Sequence, residues 1–154
     1  MKLKDQVAII TGSGSGIGRG IALEYAKEGA KVVINVSRNM DSANEVVEEI
    51  KKLGGEAIAI RADVSNSEEV QNLVSETVKQ FGKINILVNN AGITQNPQPL
   101  ADISEEDWNR IVNINLNSIF LVSKYAIPEI LKSDKGAVIN LASIAAFEVG
   151  SGAG

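Results

Sequence analysis

Val7-Ala8-Ile9-Ile10-Thr11-Gly12-Ser13-Gly14-Ser15-Gly16-Ile17-Gly18 is the stretch whose reading decides the fold. Its first four residues are apolar without a break, which suits a strand buried on both faces of a parallel sheet. Four glycines at alternate positions follow. Lacking a Cβ, they let the backbone turn sharply and lie close against a ligand. From Ile17 onward Ile17, Ile21 and Tyr25, with Ala22 and Ala26 beside them, recur at helical spacing, and Gly29 reads as the stop. The helix then points its N-terminus at the glycine turn. Unpaired amides and roughly half a positive charge make that end an anion site, so a phosphate is expected there.

Beyond this stretch strand and helix patterns alternate with short connections, which predicts βαβ units and a parallel sheet with helices on both faces. Further strands are expected at 31–36, 57–61, 84–88 and 137–141. The second helix is expected to open at Asp41-Ser42 with Glu45 completing a capping box, and to end at Gly54-Gly55. Ser65 with Glu68 reads as the start of the third, which carries Val70, Leu73, Val74, Val78 and Phe81 inward and stops at Gly82. A long helix follows Ser104 and runs through Trp108, Ile111, Val112, Asn115, Ile119 and Val122, with Pro128 kinking or ending it. No repeat or linker divides the chain, so residues 1–154 read as a single domain.

Composition removes several chemistries. The 154 residues contain no cysteine and no histidine, so disulfides, thiolate catalysis and imidazole ligands or bases are excluded. Acid–base chemistry is left to carboxylate, lysine or tyrosine. A net charge of -4 gives no reason to expect nucleic acid, and no metal site is expected. The apolar runs are too short to span a bilayer, and the first residues have no signal-peptide core, so a cytoplasmic location is expected.

The common dinucleotide fingerprint G-x-G-x-x-G is not in register here. From Gly12 its third glycine would fall on Ile17, and from Gly14 on Arg19. What stands instead is Thr11-Gly12-x-x-x-Gly16-Ile17-Gly18. With Asp63-Val64, Asn89-Asn90-Ala91-Gly92 and Ile139-Asn140-Leu141-Ala142-Ser143 in that order, the chain resembles the short-chain dehydrogenase/reductase family of classical type. The resemblance covers the whole chain. It implies an α/β fold: a Rossmann-type doubly wound parallel sheet in three α/β/α layers, in the order 3-2-1-4-5, here truncated after the fifth strand.

The resemblance also implies roles for named residues. Gly12, Ser15, Gly16, Ile17 and Gly18 would receive the cofactor pyrophosphate. Asp63 would bond the adenine amino group while the Val64 amide meets a ring nitrogen. Asn89, Ala91 and Gly92 would line the ribose side, and Asn90 would tie the fourth strand to its neighbours. Twenty positions past Gly16 fall at Val36, followed by Ser37 and Arg38 with no carboxylate. An arginine there accommodates the 2′-phosphate of NADP, whereas an acidic residue would bind the 2′-hydroxyl of NAD. NADP(H) is therefore the preferred cofactor and NAD(H) the alternative, although Ser15 stands where many NADP-using relatives carry a base.

Hydride transfer between nicotinamide and a small carbonyl or alcohol substrate is the implied reaction, with Ser143 steadying the substrate oxygen and Asn115 anchoring a water in the proton relay. Asn113 is the nearer competitor for that asparagine; Asn115 is preferred because it directly precedes Leu116. Overall similarity leans to reductases of 3-oxoacyl groups on carrier protein, with glucose-type dehydrogenases second. Substrate choice would draw on 94–99 and 144–150. The family's Tyr-x-x-x-Lys is absent, since Tyr25 is followed four residues on by Gly29 and Tyr125 by Glu129. The chain is therefore expected to be a piece of a longer enzyme, with an uncovered edge at the fifth strand; a catalytically inactive nucleotide-binding module is the alternative if it ends at Gly154. Intact relatives are homo-oligomers, dimers or tetramers, that pair through the long helix, so 104–131 is the expected pairing surface.

Overall fold

A computed structural model describes residues 1–143 of the chain. The strands are β1 (Val7–Ile10), β2 (Lys31–Val36), β3 (Glu56–Arg61), β4 (Ile86–Asn89) and β5 (Ala137–Asn140). Between them run α1 (Gly16–Lys27), α2 (Met40–Lys52), α3 (Ser67–Phe81), and a last pair, α4 (Glu105–Val112) and α5 (Ser118–Ile130). All four strand pairings are parallel, in the order β3-β2-β1-β4-β5.

Alternation along β1 builds two cores. Ala8 and Ile10 face Ala22 and Ala26 of α1 and Val46, Val47 and Ile50 of α2. Ile9 faces the other way, with Leu73 and Val74 of α3 and Val122, Ala126 and Ile130 of α5. Three layers result, with β1 fully buried between them. Each large aliphatic side chain sealed in this way contributes about 2 kcal/mol. No described helix is long and apolar enough to cross a membrane.

Several boundaries differ from the sequence reading, each for a local reason. Helix α2 starts at Met40, because the Asn39 side chain accepts the Ser42 amide and caps it one turn ahead of the expected Asp41-Ser42 box. Asn66, not Ser65, caps α3, accepting from Glu68 and Glu69 at 2.9 and 3.2 Å. Ser65 is already committed, its amide and hydroxyl both donating to Asp63 Oδ1. Strand β4 begins at Ile86, after Asn85 has taken the Val7 amide on its side chain at 3.0 Å.

The long helix is two helices joined by a π-type turn at Asn113–Asn117. Pro128 does not end it there. It lies in the last turn of α5, which continues to Ile130, so the ring removes one hydrogen bond where the helix is about to stop. Among the described residues β5 is an edge strand, with Val138 and Ile139 partly exposed. Trp108, Leu116, Phe120 and Leu131 are exposed along the last helix pair.

Candidate functional site

The chain leaves β1, winds outward through β2 and β3, then crosses back to β4 on the other side of β1. That reversal leaves a crevice at the C-terminal ends of the strands, where open α/β sheets bind ligands. Two glycines of the first turn are there by necessity. Gly12 has φ +62°, and a Cβ on it would stand 2.9 Å from the Ala91 Cα. On Gly18 a Cβ would meet the Gly12 carbonyl at 2.6 Å.

The start of α1 lacks local compensation. The Ser15 side chain makes no capping bond and no acidic residue stands in the first turn. Positive potential at this end is therefore left for a ligand.

Behind the turn, Thr11 and Asn90 lock β1 to β4. Thr11 Oγ1 accepts the amides of Asn90 and Ala91, each at 3.0 Å. Asn90 Nδ2 donates to the carbonyls of Thr11 at 2.7 Å and Gly12 at 3.1 Å. Asn90 is thus the tie between strands that the sequence suggested.

The crevice is a cleft of about 920 Å³, a size common for small-molecule sites. It brings together Gly12, Ser15, Ile17 and Gly18 from the glycine turn, Ser37 and Arg38 after β2, Asp63 and Val64 after β3, and Ala91 and Gly92 after β4. Asp63 is oriented by its own turn, with Oδ1 accepting the Ser65 amide at 2.9 Å. Arg38 forms no ion pair with a carboxylate among the described residues. Gly16 begins α1 with open space where a Cβ would project, though it does not line the cleft.

Three further expected residues lie off this lining. Asn89 is buried in β4, and its Nδ2 donates to Asn140 Oδ1 at 2.8 Å and Ser123 Oγ at 3.3 Å. Strand alternation turns its side chain toward Ser123 of α5 and Asn140 of β5. Asn115 lies in the π-type turn and bonds the Ile93 backbone. Ser143 is exposed, three residues past β5. The 94–99 loop precedes α4, while 144–150 lies outside the described residues.

The cleft also has a wall of which the sequence reading weighed only Asn113, and that for another role. Glu106, Asn109, Arg110 and Asn113 line it from α4 and the turn after it, and Asn35 lines it from β2. Their spacing of i, i+3, i+4 and i+7 is a polar stripe that helical periodicity could have shown. Asn35 could have been noticed as the one amide in the run Val32-Val33-Ile34-Asn35-Val36.

Residues 6–153 match the family model described as short chain dehydrogenase. The chain belongs to the short-chain dehydrogenase family. It is 43% identical over 137 residues to the 3-oxoacyl-[acyl-carrier-protein] reductase FabG of Staphylococcus epidermidis, covering 89% of this chain and 56% of that one. With FabG of Staphylococcus aureus strain Mu50 the identity is 42%, covering 89% and 55%. A crystal structure from Sinorhizobium meliloti 1021, described as a candidate short-chain alcohol dehydrogenase, superposes with a TM-score of 0.91 at 32% identity, covering 99% of this chain and 60% of that one. The chain thus spans a little over half the length of these short-chain dehydrogenases.

Proposed function

We propose that this chain forms the cofactor-binding part of a nicotinamide-dependent oxidoreductase and prefers NADP(H) to NAD(H). The observation that carries the reading is the joining of an uncapped α1 N-terminus, the Ser37-Arg38 pair and the Asp63-Val64 turn in one cleft. These groups fit an anionic dinucleotide. Amides of α1 suit the pyrophosphate, Arg38 and Ser37 a 2′-phosphate, and Asp63 an adenine amino group. When bound, the nicotinamide supplies hydride exchange with a carbonyl or alcohol carbon.

Ser143 in this reading steadies the substrate oxygen, and Asn115 holds a relay water. The names of the staphylococcal relatives favour a 3-oxoacyl group on a carrier protein as substrate, and a cytoplasmic location belongs to the same reading. A sugar dehydrogenase is the second reading. No Tyr-x-x-x-Lys pair occurs within the 154 residues, so the role proposed for this stretch is to bind and orient. The exposed apolar side chains of α4 and α5 support assembly with a second copy.

Titration with NADPH and with NADH, followed by nicotinamide fluorescence, tests the cofactor assignment. NADPH should bind at least about tenfold more tightly, as one charge-assisted contact to a phosphate would give. Equal affinities, or tighter NADH, would overturn the preference. No binding of either would overturn the cofactor reading itself.

A further inference from the structure

We propose that Asn35 is a positioning residue for the dinucleotide, its buried carboxamide fixing the glycine turn and the β3–α3 turn at the separation one ligand must span. The inference rests on the cofactor reading. Asn35 is 1% exposed, near the C-terminal end of an otherwise apolar stretch of β2. A buried amide costs stability unless its bonding groups are used. Here they are used on both sides. Its Oδ1 accepts the Gly12 amide at 3.4 Å. Nδ2 donates to the carbonyls of Ala62 at 3.0 Å and Ile60 at 3.3 Å.

The backbone of Asn35 tightens the first of these links. Ser13 donates its amide to the Asn35 carbonyl at 2.9 Å, and the Asn35 amide donates back to Ser13 Oγ at 3.1 Å. Ser13 Oγ in turn donates to the Ile10 carbonyl at 2.7 Å. A continuous hydrogen-bonded path therefore runs from β1 through the glycine turn and Asn35 to Ala62. Gly12 belongs to the turn assigned to the pyrophosphate, and Ala62 immediately precedes the Asp63-Val64 pair assigned to the adenine. A dinucleotide touches both walls at once, so an error in their separation weakens every contact made beyond the first.

Side-chain chemistry explains why an amide suits the position. An aspartate there would set a carboxylate against two carbonyl oxygens and could not donate to either. Valine would keep the backbone bonds to Ser13 but lose the side-chain links to Gly12, Ile60 and Ala62. The link thus depends on one acceptor and two donors in a planar group.

Asn85 supplies a matched control. It is also buried, its Oδ1 accepts the Val7 amide at 3.0 Å and its Nδ2 donates to the Lys135 carbonyl at 3.1 Å. It lies away from the cleft. The test compares wild type, Asn35→Ala and Asn85→Ala by calorimetric titration with ADP, which reaches both walls, and with adenosine, which reaches one. Asn35→Val, which retains β propensity, covers the case in which Asn35→Ala does not fold. Asn35 variants should lose about tenfold or more in ADP affinity while adenosine changes by less than about threefold. Asn85→Ala should lose thermal stability and keep ADP binding. ADP affinity at the wild-type level in an Asn35 variant, or an equal loss in Asn85→Ala, would overturn the positioning role alone. Failure of wild type to bind ADP or NADPH would overturn the cofactor reading and this inference together.

Discussion

Asn115 grips the backbone of Ile93 from both sides, its Oδ1 accepting the Ile93 amide at 2.8 Å and its Nδ2 donating to the Ile93 carbonyl at 2.9 Å. The two residues are 22 apart in sequence, and the π-type turn brings them together by adding a residue between α4 and α5. π-type turns recur where a helix must aim a side chain at a function. Here the aim is the strand of loop that leaves Gly92.

Replacing Asn115 by leucine removes a donor and an acceptor at once, and by aspartate only the donor. Because Asn115 is exposed, water recovers part of the loss, and the cost to stability should be about 1 kcal/mol. The loop should loosen more than the fold does. Hydrogen exchange at the Ile93 amide should accelerate in Asn115→Leu and remain slow in Asn115→Asp, which retains the acceptor. Unchanged exchange in Asn115→Leu would show that the loop is held by other contacts.

Two glycines of α1, only two residues apart and so on opposite sides of the helix, should respond oppositely to the same change. Gly18→Ala places a methyl 2.6 Å from the Gly12 carbonyl, so the glycine turn must shift. Overpacking of that kind costs about 1–3 kcal/mol, and NADPH binding should weaken with it. Gly20 has open space around its missing Cβ. Gly20→Ala should therefore stabilise the protein by about 0.5–1 kcal/mol through helix propensity and leave binding unaltered. Chemical denaturation and NADPH titration of both variants check the pair, and a stabilised Gly18→Ala would contradict the close packing.

What the sequence made legible was what short-range physics decides. Unbroken β-branched runs and glycine stops specify strands and helix ends without reference to the rest of the chain, and the strand order followed from the family motifs. The helix starts were misread because competition among Asn39, Asp41 and Ser42, or between Ser65 and Asn66, is settled by the hydrogen bonds each has already made. Asn89 lies off the cleft lining for a related reason. Its motif neighbours Ala91 and Gly92 reach the cleft, but strand alternation turns Asn89 toward Asn140. The π-type turn left no signal at all, since Asn113 to Asn117 continue a helical pattern. Asn35 and the polar stripe of α4 were legible in principle, as polar residues at regular positions in otherwise patterned elements.

The proposed preference for NADP(H) rests on Arg38. It lies in the cleft beside Ser37, with no carboxylate partner among the described residues to compete for its guanidinium. Arg38→Glu should cost NADPH about 10- to 100-fold in affinity, the loss of a charge-assisted contact compounded by repulsion from the 2′-phosphate. NADH should be held as well as before or better, since a carboxylate can accept from its ribose hydroxyls. Parallel loss of both cofactors would place Arg38 in the turn's structure rather than in recognition.

Exposed apolar side chains on the last helix pair set up a prediction about assembly. Phe120 is 64% exposed and Leu116 63%, and Trp108 and Leu131 are exposed along the same helix pair. The Lys124 ammonium lies 5.8 Å from the Phe120 ring, a contact worth about 0.5–1 kcal/mol at an exposed site and too weak to serve as cover. Apolar groups gathered in this way mark an interaction surface. Sedimentation of wild type should show a dimer or a larger species that dissociates on dilution. Phe120→Glu should shift it to monomer with little change in the melting of isolated subunits, because the residue contributes nothing to either buried core. A strictly monomeric wild type would remove the assembly proposal. A variant that stays associated would move the interface to another face.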